Sequence, residues 1–285
     1  MDYRQKFTVE RMCRVFKVSK SGYYKWRKNR SPKKQKESKL EDLIRYEYER
    51  SRYTYGSPRI ALALNEFNYT CSKSTVARYM NKLGIVVRRK RKHKITTNSN
   101  HSYGIFPNTL NREFEQESPG KVWVSDITYI RVTSQWLYLT VVIDLADRMV
   151  LGWSLSSDMS AANTVIKAFN NACAFRKPSK GFLFHSDRGV QYACHEFTDL
   201  VKSAQGIQSM SRKGNCWDNA VAESFFKTLK VESIYKMKLI NFSDAYNAIF
   251  DYIDGWYNTL RKHSALDGLS PLNAFINKSN YLRAA

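Results

Sequence analysis

The 285-residue chain is strongly basic, with 47 Lys and Arg against 25 Asp and Glu and a net charge of +22. Its hydrophobic share of 43% is ordinary for a globular protein, which excludes a disordered tail. No signal peptide or membrane-length apolar run is evident, so we expect no membrane partner and a cytoplasmic location. The five cysteines form no CxxC pair, so neither a disulfide framework nor a structural zinc site is indicated.

The excess positive charge lies in the first third of the chain. Residues 1–95 hold 27 Lys and Arg against 8 Asp and Glu, whereas residues 96–285 hold 20 against 17. A concentrated positive charge attracts the phosphate backbone of nucleic acid. The distribution therefore predicts a nucleic-acid-binding region followed by a near-neutral domain with another task.

The first 95 residues are predicted to be helical. Residues 1–37 have the outline of a helix-turn-helix, broken at Val18-Ser19 and followed by a basic linker around Pro32. Residues 38–95 are predicted to form a basic helical DNA-binding domain, with helices over 40–49, over 57–66 and from Ser72 or Ser74 to Leu83. Ser57-Pro58 is predicted to supply a cap and a first-turn proline. The cations predicted to contact DNA phosphates are Arg88, Arg89, Lys90, Arg91 and Lys92.

After a linker predicted over residues 96–120, the pattern changes to strands. Short β-branched and aromatic runs predict strands at 121–131, 136–143, 149–155, 181–184 and 207–210. Helices are predicted at 160–175, 195–204, 218–232 and 242–257. This element order is typical of the ribonuclease H-like fold. Residues 121–285 are therefore predicted to form an α/β ribonuclease H-like catalytic core, a mixed five-stranded sheet with flanking helices, preceded by an all-α helix-turn-helix region.

Three carboxylates stand out in this second part. Asp126 interrupts an apolar strand, and Asp187 follows the fourth strand, where site residues of open α/β sheets often lie. Glu223 falls on the helix over 218–232, whose predicted buried face carries Val221, Phe225 and Leu229, with Glu223, Lys227 and Lys230 on the opposite face. Taken singly, each carboxylate has a structural explanation: a core hydrogen bond, a turn cap or a surface pair with Lys227.

Together the three carboxylates indicate phosphodiester chemistry. Magnesium ions prefer a few carboxylate ligands together with phosphate oxygens of the substrate. In a two-metal site, one ion activates the attacking water or hydroxyl and the other stabilises the leaving oxygen. The sequence therefore predicts that Asp126, Asp187 and Glu223 hold two divalent ions, Mg²⁺ or Mn²⁺.

Several strings also resemble a known family. WVSDITYI, HSDRGVQY, SMSRKGNCWDNAVAESFFKTLK and WYNTLRKHSALDGLSP are similar to the DDE-type transposases of bacterial insertion sequences. The resemblance is specifically to the downstream product of the family that joins two reading frames by programmed frameshifting. Asp187 and Glu223 are separated by 35 residues, a spacing which that family shares with the retroviral integrases, and Lys230 matches its basic residue.

The resemblance implies a DNA transposase. It would nick DNA at the ends of the element and use the freed 3′-hydroxyl for strand transfer, without ATP and without a covalent protein–DNA intermediate. Lys227, Lys230 and Arg188 would hold the DNA near the scissile phosphate. The implied partners are double-stranded DNA (terminal inverted repeats and target), further copies of the chain on DNA, and the upstream reading-frame product as a fusion or partner, at the bacterial nucleoid.

Two motifs beside the carboxylates are predicted to be structural. Asp218 and Asn219 are expected to cap the helix that carries Glu223. In the matching YNTLRKH string, Tyr257, Asn258, Arg261 and His263 are expected to pack the last helix. Two alternative functions stay open: a catalytically inactive DNA-binding regulator, and a related integrase or nuclease that acts on different DNA.

Overall fold

The computed structural model describes residues 6–87 and 103–284, apart from the side chains of 29–36, 216 and 281–284. It divides into two compact units, Met1–Arg88 and Arg89–Ala285, which are described separately here. No helix in the described ranges is long and apolar enough to cross a membrane. The predicted phosphate contacts Arg88, Arg89, Lys90, Arg91 and Lys92 lie outside the described residues.

The first unit is built from helices. They are α1 (Val9–Val15), α2 (Lys20–Arg50), α3 (Ser57–Leu64) and α4 (Lys73–Lys82). The break predicted at Val18-Ser19 is confirmed, since the Ser19 hydroxyl accepts a hydrogen bond from the Gly22 amide and begins α2. Apolar side chains from the second half of α2, from α3 and from α4 form the core, including Ile44, Ile60, Leu64 and Val76. The unit is the all-α region that the sequence predicts.

One helix replaces the linker predicted around Pro32. Helix α2 runs without interruption over 31 residues, through the basic segment before residue 38. That segment has no apolar periodicity, so it was interpreted as a linker. Lys, Gln, Glu and Arg nevertheless have high helix propensity, and the proline removes only one backbone donor. The linker prediction is therefore wrong for this segment.

The predicted helix starts in the first unit are confirmed in one case and wrong in the other. The Ser72 hydroxyl accepts from the Thr75 amide at 3.1 Å and begins α4 as predicted. Helix α3 instead begins after Gly56, which provides no side-chain cap, and Ser57 is its first residue. Pro58 does occupy the first turn, where its missing N–H costs nothing because that donor has no partner within the helix.

The second unit contains a mixed five-stranded sheet. Its strands are β1 (Val122–Arg131), β2 (Trp136–Asp144), β3 (Val150–Ser156), β4 (Leu183–Ser186) and β5 (Ile207–Met210), in the order β3-β2-β1-β4-β5. Strands β1, β2 and β3 pair in antiparallel fashion. Strand β4 runs parallel to β1, and β5 runs parallel to β4. This confirms the predicted ribonuclease H-like sheet. The prediction placed β4 two residues too early in the chain.

The helices of this unit are α5 (Lys167–Phe175), α6 (Val190–Ala193), α7 (His195–Ser203), α8 (Ala220–Glu232), α9 (Phe242–Tyr252) and α10 (Pro271–Ala284). Three of the predicted helical segments differ in form from the prediction. A π-helical turn, Ala162–Ile166, precedes α5, and another, Ile253–Tyr257, follows α9. A 3-10 turn, Cys216–Asn219, leads into α8. Side-chain periodicity indicates helix in each segment but does not distinguish these local hydrogen-bond patterns.

An aromatic core joins the sheet to the helices on one of its faces. Trp123 and Phe184, from neighbouring strands, pack with Phe169, Phe182 and Phe197, and all five are buried. Side chains alternate between the two faces of a strand, so the residues next to Trp123 and Phe184 point to the other face. That alternation places Val124 and Asp126 of β1 across the sheet from this core.

Candidate active site

The strand register brings Asp126 and Asp187 to one place. Strands β1 and β4 are parallel neighbours in which Val124 lies opposite His185. Asp126 and Asp187 follow two residues later in β1 and just after β4, on the same face of the sheet. Parallel strands lie about 4.8 Å apart, so the two carboxylates face each other where β4 ends. The predicted meeting of these two residues follows from the sheet itself.

The electrostatics around Asp126 show a concentrated acidic pocket. Burial raises the pKa of Asp126 well above its usual range, and the charges of Asp187 and Glu223 raise this pKa further. The Ile127 amide, at 2.9 Å from Oδ1, and the Lys230 ammonium act in the opposite direction. The pKa of Asp126 is therefore raised by both other predicted carboxylates, one from the loop after β4 and one from α8.

Helix α8 packs beside β1 and places Glu223 near Asp126. Its buried side chains are Ala222, Phe225, Phe226 and Leu229. The predicted buried face was therefore too narrow, because Ala222 and Phe226 also pack inward and bring the line of Glu223 and Lys230 against the sheet. Lys230 lies two turns after Glu223 on that line and donates to the Thr128 hydroxyl of β1 at 2.7 Å.

The two predicted lysines have different environments. Burial lowers the pKa of Lys230, while the charge of Asp126 opposes that shift. Lys227 is exposed, whereas Lys230 is half-buried, although both were predicted on the face of α8 that carries Glu223. Lys230 instead provides the cation beside the acidic pocket.

The loop after β4 fixes both Asp187 and Arg188. The Gly189 amide donates to Asp187 Oδ1 at 2.9 Å, and a Cβ added at Gly189 would stand 3.1 Å from that oxygen. Arg188 is half-buried, and its Nε donates to the Ser211 carbonyl at 2.6 Å. The Arg188 side chain thus ties this loop to the segment that follows β5.

The residues fit a divalent cation by charge. The charges of Asp187 and Glu223 act on Asp126 together with that of Lys230, and carboxylate oxygens of this kind suit Mg²⁺. No group of three His, Cys, Asp or Glu side chains within the described ranges stands close enough to share one ion.

Sequence reasoning missed the residues that support the pocket from behind. The Ser125 hydroxyl and the buried Tyr192 hydroxyl lie 2.7 Å apart. Burial raises the pKa of Tyr192, and the charges of Asp126 and Asp187 raise it further. On the other side, Asn219 Nδ2 donates to the Ser125 carbonyl at 3.1 Å. No sequence pattern marked these contacts because they join residues far apart along the chain.

Asp218 occupies a different role from the predicted helix cap. Neither Asp218 nor Asn219 makes a side-chain cap to α8, so that prediction is wrong. The Asp218 carboxylate is fully buried and accepts from Arg212 Nε at 2.8 Å, Arg212 Nη2 at 2.7 Å, the Arg212 amide at 3.0 Å and Arg112 Nε at 2.8 Å. Asn108 Nδ2 also donates to it at 2.9 Å. Asp218 thus holds the turn before α8 against residues 108–112.

His185 completes the packing beneath this turn. Its ring nitrogens lie 2.9 Å from the Ser209 hydroxyl and 3.2 Å from the Ser211 hydroxyl, and the side chain is fully buried. Burial lowers the pKa of His185 to about 4, so the ring is neutral near pH 7. The HSD string therefore places a neutral packing residue two positions before the carboxylate.

The YNTLRKH string is structural, as predicted. Arg261 makes a two-pronged ion pair with Glu232 at the end of α8, with both contacts at 2.8 Å. Tyr257 packs edge-on against Phe225 and against His263. The Asn258 side chain accepts a hydrogen bond from the Val150 amide and donates one to the Val150 carbonyl, and so covers part of the edge strand β3.

Comparison with known protein families agrees with this architecture. A family model described as an integrase core domain matches residues 116–216, and a second integrase core model matches residues 205–271. An HTH-like domain model matches residues 34–93. The sheet topology, the pocket and these matches define a protein with an integrase-type catalytic core behind a helix-turn-helix-like region.

Curated relatives extend over almost the whole chain. An uncharacterised 31 kDa protein of insertion element IS600 from Shigella sonnei is 38% identical over 96% of this chain and 100% of its own length. Transposase InsF of insertion sequence IS3A from Escherichia coli is 36% identical over 97% of this chain and 96% of its own length. The chain belongs to the InsF transposase family of IS3-type insertion sequences and is a DDE-type transposase.

Solved structures with a similar fold include retroviral integrases. The catalytic core of the HTLV-2 integrase, in complex with magnesium, has 17% identity and a TM-score of 0.42, covering 55% of this chain and 97% of its own. A chain of the simian T-cell lymphotropic virus intasome has 15% identity and a TM-score of 0.48, covering 83% of this chain and 74% of its own.

Proposed function

We propose that this transposase nicks DNA at the ends of an insertion sequence and joins the freed 3′-hydroxyl to target DNA, with Asp126, Asp187 and Glu223 as its metal ligands. The observation that carries the proposal is the register of the parallel strands β1 and β4, which brings Asp126 beside Asp187, and the charge of Glu223 also acts on Asp126. A protein that only binds DNA gains nothing from gathering acidic groups, because they repel phosphates and one another.

The chain's own residues would divide the work around the metal. Asp126 and Asp187 offer oxygens from adjacent strands, and Glu223 offers another from α8. When bound, two Mg²⁺ or Mn²⁺ ions would activate the attacking oxygen and stabilise the leaving one. Lys230, held by Thr128, offsets part of the acidic charge. Lys227 is exposed and, with Arg188, would contact phosphates near the cut.

The two units would share the task. The first unit, together with Arg88, Arg89, Lys90, Arg91 and Lys92, would hold double-stranded DNA through its phosphates. We extend the proposal to the terminal inverted repeats and target DNA as substrates and to self-association on DNA. The upstream reading-frame product would act as a fusion or partner, at the nucleoid in the bacterial cytoplasm.

The test is a cleavage assay with the full chain, alone and as the upstream fusion. Labelled duplexes would carry the terminal inverted repeats that flank the gene, with Mg²⁺ or Mn²⁺. We expect specific nicking and end joining that are lost in Asp187→Ala and Glu223→Gln. An exposed acid on α7, changed as Asp199→Asn, provides a matched control that should keep full activity.

Two outcomes would favour the alternatives. Specific DNA binding without cleavage, by both the chain and its fusion, would indicate a catalytically inactive regulator. Metal-dependent cleavage of DNA without preference for the terminal repeats would indicate a related nuclease or integrase. Cleavage that persists in both carboxylate variants would overturn the proposed ligands while leaving the transposase activity in place.

A further inference from the structure

The turn that leads into α8 leaves one large aromatic side chain outside. Trp217 is 69% exposed, the highest exposure among the large hydrophobic side chains of the second unit's described residues. The next two residues along the chain, Asp218 and Asn219, are buried and hydrogen-bonded to the protein. The turn is therefore fixed, and the exposure of the indole does not come from a loose segment.

The backbone of Trp217 is close to the residues that form the acidic pocket. Asn219 donates to the carbonyl of Ser125, the residue before Asp126. Consecutive Cα atoms are about 3.8 Å apart, so the Cα of Trp217 is within about 8 Å of that of Asn219. One turn of helix after Asn219 stands Glu223. Trp217 is therefore close along the chain to the Asn219–Ser125 contact beside Asp126 and to helix α8, which carries Glu223.

The surroundings of Trp217 are basic. Arg212 and Arg112 are bound to Asp218, yet their side chains remain 49% and 43% exposed. Lys213, which precedes the turn, is exposed as well. A second protein surface would have to cover several cations together with the indole. Nucleic acid suits both features, because phosphates pair with cations and every base offers a flat face to an aromatic ring.

We propose that Trp217 stacks on an unpaired base of the DNA end and so holds the duplex open beside the scissile phosphate. This inference rests on the proposed transposase function and adds a positioning residue to it. Asp218 would fix the turn, Arg112, Arg212 and Lys213 would attract the adjacent phosphates, and the indole would replace the stacking that the base loses on leaving the helix.

The test uses the full chain and terminal-repeat duplexes that carry 2-aminopurine next to the cleavage site. In a Glu223→Gln background, which we expect to bind without cutting, fluorescence reports unstacking of that base in the absence of chemistry. We expect the fluorescence rise to be lost with Trp217→Ala and largely kept with Trp217→Tyr. Phe175→Ala, which removes another exposed aromatic (63% exposed) at the end of α5, should leave it unchanged.

Cleavage rates provide the second measurement, now with Glu223 intact. Trp217→Ala should cut a fully paired end roughly 5-fold to 150-fold more slowly, the range that base stacking on an aromatic side chain supplies. A mismatch at the cleavage site should restore most of that loss. Equal rates for wild type and Trp217→Ala on paired ends would overturn the inference, as would an equal loss on paired and mismatched ends.

These outcomes are separate from those of the proposed function. If the wild type cuts terminal-repeat DNA and Trp217→Ala behaves identically, only the stacking role fails. If Trp217→Ala keeps DNA opening but loses self-association, the indole contacts protein and the inference is likewise overturned. If the wild type does not cut, the fluorescence measurement in the Glu223→Gln background still decides whether Trp217 opens the duplex.

Discussion

In the second unit, the buried carboxylate of Asp126 lies near other negative charges, which lowers the stability of the fold. Asp126 is held among two other carboxylates with one lysine nearby, and its pKa is raised by burial and by those neighbours. Such an arrangement destabilises the protein at neutral pH unless a cation neutralises it. Residues of this kind are typical of functional sites and uncommon in purely structural ones.

Asp126→Asn should therefore stabilise the metal-free protein. The amide keeps the shape and the bond from the Ile127 amide but removes one negative charge, so we expect a gain of about 1–2 kcal/mol in the free energy of unfolding. Urea denaturation with EDTA measures it, and Asp199→Asn serves as the exposed control. A loss of stability larger than that of the control would contradict the account of a strained acidic pocket.

Asp218 shows the opposite behaviour. The guanidinium of Arg212, together with bonds from the Arg212 amide and Arg112, lowers the pKa of this buried carboxyl despite the cost of burial. We expect Asp218→Asn to lower the free energy of unfolding by about 1–2 kcal/mol, since both arginines are partly exposed and their pairing is screened.

The pH dependence of that loss follows from its sign. A carboxyl whose pKa is lowered on folding stabilises the protein above its unfolded pKa of about 3.9 and loses that contribution as the pH falls. The difference between wild type and Asp218→Asn should stay constant from about pH 8 to about pH 5 and shrink below about pH 4. A difference that grew towards acid pH would contradict the ion-pair explanation.

At the scale of elements, β3 and α5 approach each other closely at Gly152. A Cβ added at Gly152 would stand 2.4 Å from the Ala168 carbonyl oxygen and 2.4 Å from the Ala172 amide nitrogen. Both atoms belong to the helix backbone, which cannot rotate away as a side chain could. Glycine at this position therefore sets the distance between the helix and the sheet.

Gly152→Ala should push α5 away from the sheet and lower the free energy of unfolding by about 3 kcal/mol, the upper part of the range for overpacked cores. Thermal denaturation measures this change. Gly104→Ala is the matched control, since an added Cβ there meets nothing within 4 Å and the backbone is not left-handed. Equal melting temperatures for the two variants would show that the helix–sheet spacing adjusts freely.

The sequence predicted the elements of the second unit well because strands and helices differ in the period of their apolar residues. All five strands and the sheet class followed from that pattern. The pattern failed over α2, because a polar segment without apolar periodicity is helical there. It also failed over α8, because the buried face includes more residues than the predicted i, i+4, i+8 row. Contacts such as Asn219 with Ser125 depend on tertiary packing and carry no local signal.

The site was predictable to a different degree. Asp126 and Asp187 follow from strand positions, and the register confirms that the two strands lie side by side. The pairing of Lys230 with Thr128 could not be predicted, because it depends on the angle at which α8 crosses β1. The role of Asp218 was missed because its partners lie both 6 and more than 100 residues away along the chain.

At the scale of the whole molecule, the excess positive charge and the acidic pocket lie in different parts of the chain. Nearly all of the excess of 22 positive charges lies in residues 1–95, whereas the acidic pocket lies in the second unit. A polyanion therefore meets attraction in one unit and, without metal, repulsion at the pocket of the other. DNA binding and DNA chemistry are expected to respond to different ions.

Binding of duplex DNA should thus depend steeply on monovalent salt. With six to ten phosphate contacts, affinity would fall roughly 1,000-fold or more between about 50 and 200 mM salt. Fluorescence anisotropy over that range measures the slope, and neutralising Arg88, Arg89 and Lys90 together should make the slope shallower. A salt-independent affinity would contradict the role of residues 1–95 as the DNA-holding region.

The central claim is that carboxylates from β1, β4 and α8 meet around divalent metal. The most direct measurement is the nicking rate of Asp187→Cys in Mg²⁺ and in Mn²⁺, because thiolate is a poor ligand for hard Mg²⁺ and a better one for the softer ion. We predict a loss on the order of 1,000-fold in Mg²⁺ that Mn²⁺ restores at least tenfold beyond its effect on the wild type. Equal losses in the two metals would show that Asp187 does not contact the ion.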